Sequence, residues 1–370
     1  FAVRNGERNE FAKEKGISHF IEHMLYKGTP TRDALKISTE IERNGGELNG
    51  FTSEQITAYW CKMPSKHLNV ALDVLGDMVR NPLFDSKEVD KERKVIFEEM
   101  KMYKDNPGRY VFDKIKELLY KGDFAISIIG TEESMKNNTR DKLKDFFNKV
   151  YTSDNLIMAV VGDTDFSKLI EFAEKTFKKN SGKVDYPKIN LSNGQKIEKR
   201  VGIDQANLVF ARHAPLPNEN LHYAEIVLIT LLAGGMSSRL FTEIREKRNL
   251  AYTIRGMYDA EKDYAHSWIH AGTTPKNVDK VKELIIAEFN KANKNIKEKE
   301  LNQVKEQIIG NHLISYEDSH NILIDLLIAE IRNNVHEFEE FEENIRAVKL
   351  NDVKKLAKIK DYSFFALIPE

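Results

Sequence analysis

The sequence predicts an α+β protein of two similar domains, and three observations lead there. Long segments with apolar residues at helical spacing are separated by short β-branched and aromatic runs. Each half closes the same way, with an amphipathic helix (140–150 and 351–360) leading into an apolar strand (155–162 and 362–368). Between the halves, residues 179–200 are rich in Lys, Asn, Gly and Ser, contain Pro187, and lack sustained periodicity, as a surface linker does. The expected division is therefore 1–178, a linker at 179–200, and 201–370.

In chain order, helical periodicity covers 31–44, 65–80, 86–105, 277–293, 298–313 and 320–332, with further strands at 54–63 and 207–212. Asp85 and Glu88 are spaced as a capping box at the start of the third of these helices. Phe1 to Arg4 reads as the tail of a strand, so the natural N-terminus is expected upstream and a targeting segment would not be visible. A length of 370 residues suits two or three domains with sizeable cores. Lys and Arg number 57 against 58 Asp and Glu, a net charge of −1, which offers no electrostatic argument for nucleic acid or an anionic membrane. No apolar run approaches the ~18 residues of a membrane span. Cys61 is the single cysteine, so any metal must be held by His and carboxylates. One cysteine and no visible export signal lean toward the cytoplasm.

The segment with the most chemistry is Gly16 to Thr29, GISHFIEHMLYKGT. At ~100° per residue, Ile17, Phe20, Ile21, Met24 and Leu25 fall on one arc of a helix, and His19, Glu22 and His23 on the opposite arc. Histidines four apart on a helix project side by side and can grip one metal ion, with Glu22 next to them. A catalytic zinc takes three protein ligands and keeps one position for water, so a third ligand is required. On the helix from Ser86, Val89, Ile96, Met100 and Tyr103 form the core stripe, with Glu92 and Glu99 along its edge. Glu98 points outward among lysines. A carboxylate turned toward a core needs a partner or a metal, which makes both Glu92 and Glu99 candidates.

HFIEHMLYKGT, with these two glutamates downstream, resembles the inverzincin metallopeptidases of family M16, the group of pitrilysin, insulin-degrading enzyme and mitochondrial processing peptidase. In that family an inverted HxxEH supplies two zinc ligands and the base, and a glutamate some 76 residues on supplies the third; Glu99 lies 76 residues after His23. The resemblance implies one Zn²⁺ per chain held by His19, His23 and Glu99, with Glu22 as general base and Glu92 as a second acidic residue supporting the site. It also implies that each domain is a mostly antiparallel β-sheet covered by helices, the second without zinc.

The resemblance runs along almost the whole chain. NGGELNGFTSEQITAYW (44–60) is similar to the family's GGxxNAxT segment, in which Asn49, Gly50 and Phe51 would begin an edge strand that pairs with substrate backbone; Gly50 stands where Ala is usual. GGMSSRLFTEIREKRNLAY (234–252) resembles the second-domain signature, and Arg245 and Tyr252 match its substrate-contacting pair, with Asn249 where Gly is common. By resemblance Tyr252 would stabilise the oxyanion and Arg245 hold the peptide. Members of this length commonly pair, which implies a homodimer with Arg245 and Tyr252 acting across the interface. The activity implied is zinc-dependent endopeptidase cleavage of peptides or small unfolded polypeptides inside a chamber. The alternative is a catalytically silent scaffold, or a partner subunit of a heteromeric processing peptidase. A closed structural zinc site is disfavoured, since no fourth ligand is evident. The second half has no HxxEH, and His266 and His270, four apart, lie in a strand where that spacing does not converge.

Overall fold

A computed structural model describes all residues, 1–370. The chain packs as two compact units, each assembled from separate stretches. The first contains 1–102, 122–188 and 318–331, and the second 103–121, 189–317 and 332–370.

The sheet of the first unit begins with β1 (Ala2–Val3), followed by the helix α1 (Ile17–Leu25) and the hairpin of β2 (Glu47–Thr52) and β3 (Thr57–Lys62). Its strand order is β2, β3, β1, then Leu156–Ile157, all antiparallel. This leaves β2 at an edge, with one side of its backbone unpaired in the ladder. The strand expected over 155–162 is confined to two residues. Its partner β1 is itself only two residues long, so the ladder ends at the Ala2–Ile157 pair. On one face, Phe20, Ile21, Met24 and Leu25 of α1 are sealed into a core with Val3, Tyr59, Val74, Met78 and Ile96. On the other, Leu327 of the helix Ser319–Ile331 packs with Ala2 and Ala58.

The second unit is built on a five-stranded sheet in the order Gln195–Arg200, Ser363–Pro369, Ala206–His213, Tyr264–Thr273, Ala251–Glu261. Only the first pairing is parallel. Val227, Leu228, Leu231 and Leu232 of the helix His222–Ala233 are buried with its inward residues. This places part of the expected linker inside the fold, because Gln195–Arg200 pairs along the last strand from Phe364 to Pro369. Its mostly polar composition suits an edge strand, exposed on one side. Both sheets are mostly antiparallel and covered by helices, as expected. The helix expected over 86–105 spans Ser86–Asp105. No helix is long and apolar enough to cross a membrane.

The start of α1 is fixed by a buried carboxylate that the sequence did not single out. Gly16 precedes the helix at φ +82°, and the N–H groups of Gly16 and Ser18 donate to Glu10 at 2.8 Å each. These are backbone donors that a helix start leaves without intrahelical partners. Burial raises the Glu10 pKa to about 7, against the opposing pull of Lys15 and the bonds from Ser18 and Gly16. A folded value above the unfolded one makes Glu10's contribution greatest below about pH 4.5, with loss as pH rises through about 7. The thermal midpoint of the wild-type chain, followed by circular dichroism from pH 4.5 to 8, should therefore fall relative to that of Glu10→Gln. Parallel curves would contradict the assignment.

Candidate metal centre

The buried arc of α1 leaves His19, Glu22 and His23 on the opposite face, as the periodicity predicts, with the two imidazole centroids 4.6 Å apart. Opposite them runs the long helix Ser86–Asp105. Its Glu99 carboxylate oxygen Oε2 lies 3.6 Å from Nε2 of His19 and 3.8 Å from Nε2 of His23. One ligand atom from each of the three residues falls within 4.8 Å of the others. Donors bound tetrahedrally ~2 Å from zinc lie roughly 3.3 Å from each other, so this set fits a zinc ion with little adjustment. Two nitrogens and one carboxylate oxygen are also the donor chemistry of a catalytic rather than a closed site.

The two glutamates left open by their place on the helix wheel are separated by the structure. Glu92 stands outside the three-residue cluster. Its Oε2 is 3.1 Å from Nδ1 of His23, and its Oε1 is 2.7 Å from Nζ of Lys27. A carboxylate on the outer nitrogen of a ligand histidine fixes the tautomer and ring orientation that leave Nε2 free for metal. Glu92 therefore touches His23 rather than the space between the ligand atoms. Lys27, which sequence reasoning missed, follows His23 by four residues and could have been found by the same spacing that paired the histidines. Glu98 is exposed and pairs with Lys101 at 2.7 Å.

The protonation of His19 suits metal binding. Burial, then the neighbouring His23, lowers the His19 pKa to about 3, which keeps the ring neutral and its nitrogens available. For His23 burial acts downward, but the Glu92 hydrogen bond and the charges of Glu22, Glu99 and Glu92 outweigh it and raise the pKa. For Glu92 burial acts upward, and the bonds from His23 and Lys27 reverse it. Burial raises the Glu22 pKa above the ordinary carboxylate value, opposed by a hydrogen bond from Thr52.

β2 lines the same site. Asn49, Gly50 and Phe51 lie within this edge strand, paired with Trp60, Tyr59 and Ala58 of β3. A methyl group added at Gly50 would sit 2.6 Å from the Tyr26 hydroxyl oxygen and 2.9 Å from the Ala58 carbonyl oxygen. The Tyr26 hydroxyl occupies the space that an alanine there would need, which accounts for the departure from the family pattern.

Arg245 and Tyr252 belong to the second unit. Arg245 lies in a single π-helical turn, Phe241–Glu246, and its Nη1 donates to the Tyr252 carbonyl at 2.9 Å. Tyr252 projects from the strand Ala251–Glu261 and is 42% exposed. Asn249 adopts φ +51°, the left-handed conformation that Gly takes without cost and Asn tolerates, which explains both residue types at that position. His266 and His270 lie in a strand and have separate partners, Tyr120 at 3.0 Å and Asn207 at 3.1 Å.

Residues 1–132 match the family model described as Insulinase (Peptidase family M16), and residues 137–308 the one described as Peptidase M16 inactive domain. An uncharacterized zinc protease of Bacillus subtilis, YmxG, is 32% identical over 383 residues, covering 99% of this chain and 91% of the relative. One from Rickettsia felis is 30% identical, covering 94% and 85%. In fold, the chain is similar to a Helicobacter pylori protease, with a TM-score of 0.91 and 23% identity over 100% of this chain and 92% of that one. A peptidase M16 inactive domain from Pseudomonas fluorescens superposes with a TM-score of 0.90 at 19% identity and the same coverage.

Gly50→Ala should destabilise the first unit by about 1–3 kcal/mol, since the methyl meets a hydroxyl and a backbone carbonyl. Tyr26→Phe in that background should recover part of the loss in urea unfolding. An unaltered midpoint for Gly50→Ala would contradict the close approach.

Proposed function

We propose, on the premise that this chain belongs to peptidase family M16, that it is a zinc-dependent endopeptidase acting on peptides or small unfolded polypeptides. One observation carries the reading: the ligand atoms of His19, His23 and Glu99 converge while Glu22 stands beside them on α1.

His19, His23 and Glu99 would hold the ion, and Glu92 would keep His23 oriented. Zinc held there would supply Lewis acidity, polarising the scissile carbonyl and lowering the pKa of a bound water. Glu22 accepts the proton of the attacking water and returns it to the leaving amine. Peptide backbone pairs with the edge strand at Asn49 to Phe51, which favours recognition of extended chain over particular side chains. Tyr252 donates to the developing oxyanion and Arg245 holds the substrate. Both act from the partner chain of a homodimer.

A catalytically silent scaffold, or the partner subunit of a heteromeric enzyme, is the rival. Loss of a ligand or of the base would favour it, and none of His19, Glu22, His23 or Glu99 is missing.

Cleavage of a quenched fluorescent peptide library, with zinc quantified alongside, tests the assignment. Glu22→Gln should keep about one zinc per chain and lose at least ~100-fold in kcat. Glu99→Gln should lose the metal. Retained zinc in Glu99→Gln would overturn the ligand set, and zinc-loaded wild-type chain that cuts nothing would favour the scaffold. The dimer is tested separately by mixing Glu22→Gln with Arg245→Ala chains. Complementation across an interface should restore about a quarter of the wild-type rate, the statistical share of complete sites, and its absence would place Arg245 in its own chain's site.

A further inference from the structure

Resting on that reading, we propose that Thr52 is a positioning residue for the same reaction, clamping the Glu22 carboxylate to the edge strand so that one oxygen is held and the other is left to take the proton. The Thr52 hydroxyl donates to Oε2 of Glu22 at 2.6 Å, a short bond to a charged acceptor. Thr52 is the last residue of β2 and pairs with Thr57 of β3. Its backbone has little freedom to drift, because the turn that follows is tied on several sides. The Ser53 N–H donates to the Ile56 carbonyl at 2.7 Å, and the Glu7 N–H donates to the Ser53 carbonyl at 3.1 Å. The Ser53 hydroxyl also bonds Ile56, accepting from its N–H and donating to its carbonyl, at 3.2 Å each. The β-branch of Thr further restricts rotation about χ1.

Gly50 strengthens the argument from a second position. Residues two apart on a strand share a face, so Gly50 and Thr52 both turn toward α1. A methyl group at Gly50 would lie 3.5 Å from Oε1 of Glu22, so the strand approaches this oxygen at a residue with no side chain of its own. Thr52 ties Oε2, and Gly50 sets no side chain of its own against Oε1. The strand proposed to pair with substrate backbone at Asn49 to Phe51 is thereby the strand that orients the base. Docking of the peptide and alignment of the proton acceptor share one rigid element.

Four variants decide it: Thr52→Val, which keeps the branched shape and removes the hydroxyl, Thr52→Ser, Glu22→Gln, and Thr52→Val with Glu22→Gln. The readouts are kcat and KM on a quenched fluorescent peptide, zinc content, the unfolding midpoint, and calorimetric affinity for a peptide hydroxamate, whose hydroxyl proton passes to a neighbouring carboxylate. Thr52→Val should lower kcat by roughly 10–100-fold with KM within about twofold, one zinc per chain and an unaltered midpoint, as loss of an orienting partner does. Thr52→Ser should recover most of the rate. Hydroxamate affinity should weaken about tenfold in Thr52→Val, but not further when the substitution is added to Glu22→Gln. A kcat within twofold of wild type, a Ser variant as impaired as Val, lost zinc, or an equal loss of hydroxamate affinity in the Glu22→Gln background would each overturn the proposal. Should the wild-type chain cut no peptide, the peptidase reading fails, while the hydroxamate series still decides whether Thr52 acts through Glu22.

Discussion

Burial of one face of α1 is the constraint from which the rest of the site follows. Phe20, Ile21, Met24 and Leu25 are fully or almost fully excluded from water in the nine residues of that helix, so its rotation about its own axis is set by packing. Each of these side chains is worth roughly 1.5–3 kcal/mol of transfer free energy, and turning the helix by a single residue would expose several of them. With rotation fixed, the 100° step leaves the two histidines and Glu22 on the opposite face with no freedom to be elsewhere. Glu10 completes the arrangement by holding the N–H groups at the helix start.

Around this helix the charged groups are held in relation to one another rather than to water. Glu92 is buried, a position a carboxylate occupies only with partners, and Lys27 and His23 supply them. The chain from Lys27 through Glu92 to His23 orients an imidazole from behind, while Glu99, one turn beyond Ile96 and two turns beyond Glu92 on the same long helix, faces it from the front. Spacing the two glutamates by seven residues brings them to one face two turns apart, which lets a single helix supply both functions. The same residue types in the second unit do not assemble so: its strand histidines are about 13 Å apart along the strand at four residues' separation, and each bonds a different neighbour.

The two places where the chain departs from its family's usual residues have separate physical causes. Gly50 makes room for the Tyr26 phenol, so Tyr26 and Gly50 form one steric unit. Asn249 sits in the left-handed region, where the side-chain amide makes Asn the best tolerated residue after Gly.

Local periodicity carried much of this protein in the sequence. The alternation of elements, the two-faced α1 with His19, Glu22 and His23 together, the long helix with Glu92 and Glu99 turned inward, and the strand that separates His266 from His270 all follow from the 3.6 and 2 residue repeats, which act over a few neighbours. Other features depended on contacts between distant segments. Periodicity left Glu92 and Glu99 equivalent, and only the approach of the long helix to α1 gave one the Nε2 side of His23 and the other the Nδ1 side. The strand at 155–162 shortened because its partner had two residues to offer, and a polar stretch that reads as linker became a strand because 363–369 lies alongside it. Thr52 bears on Glu22 through a bond spanning thirty residues of chain, which no local repeat can announce. What the sequence determined was therefore which faces must be buried, because that depends on spacing alone. What the tertiary structure decided was which buried face meets which, because that depends on the closure of long loops and on the partner each segment finds.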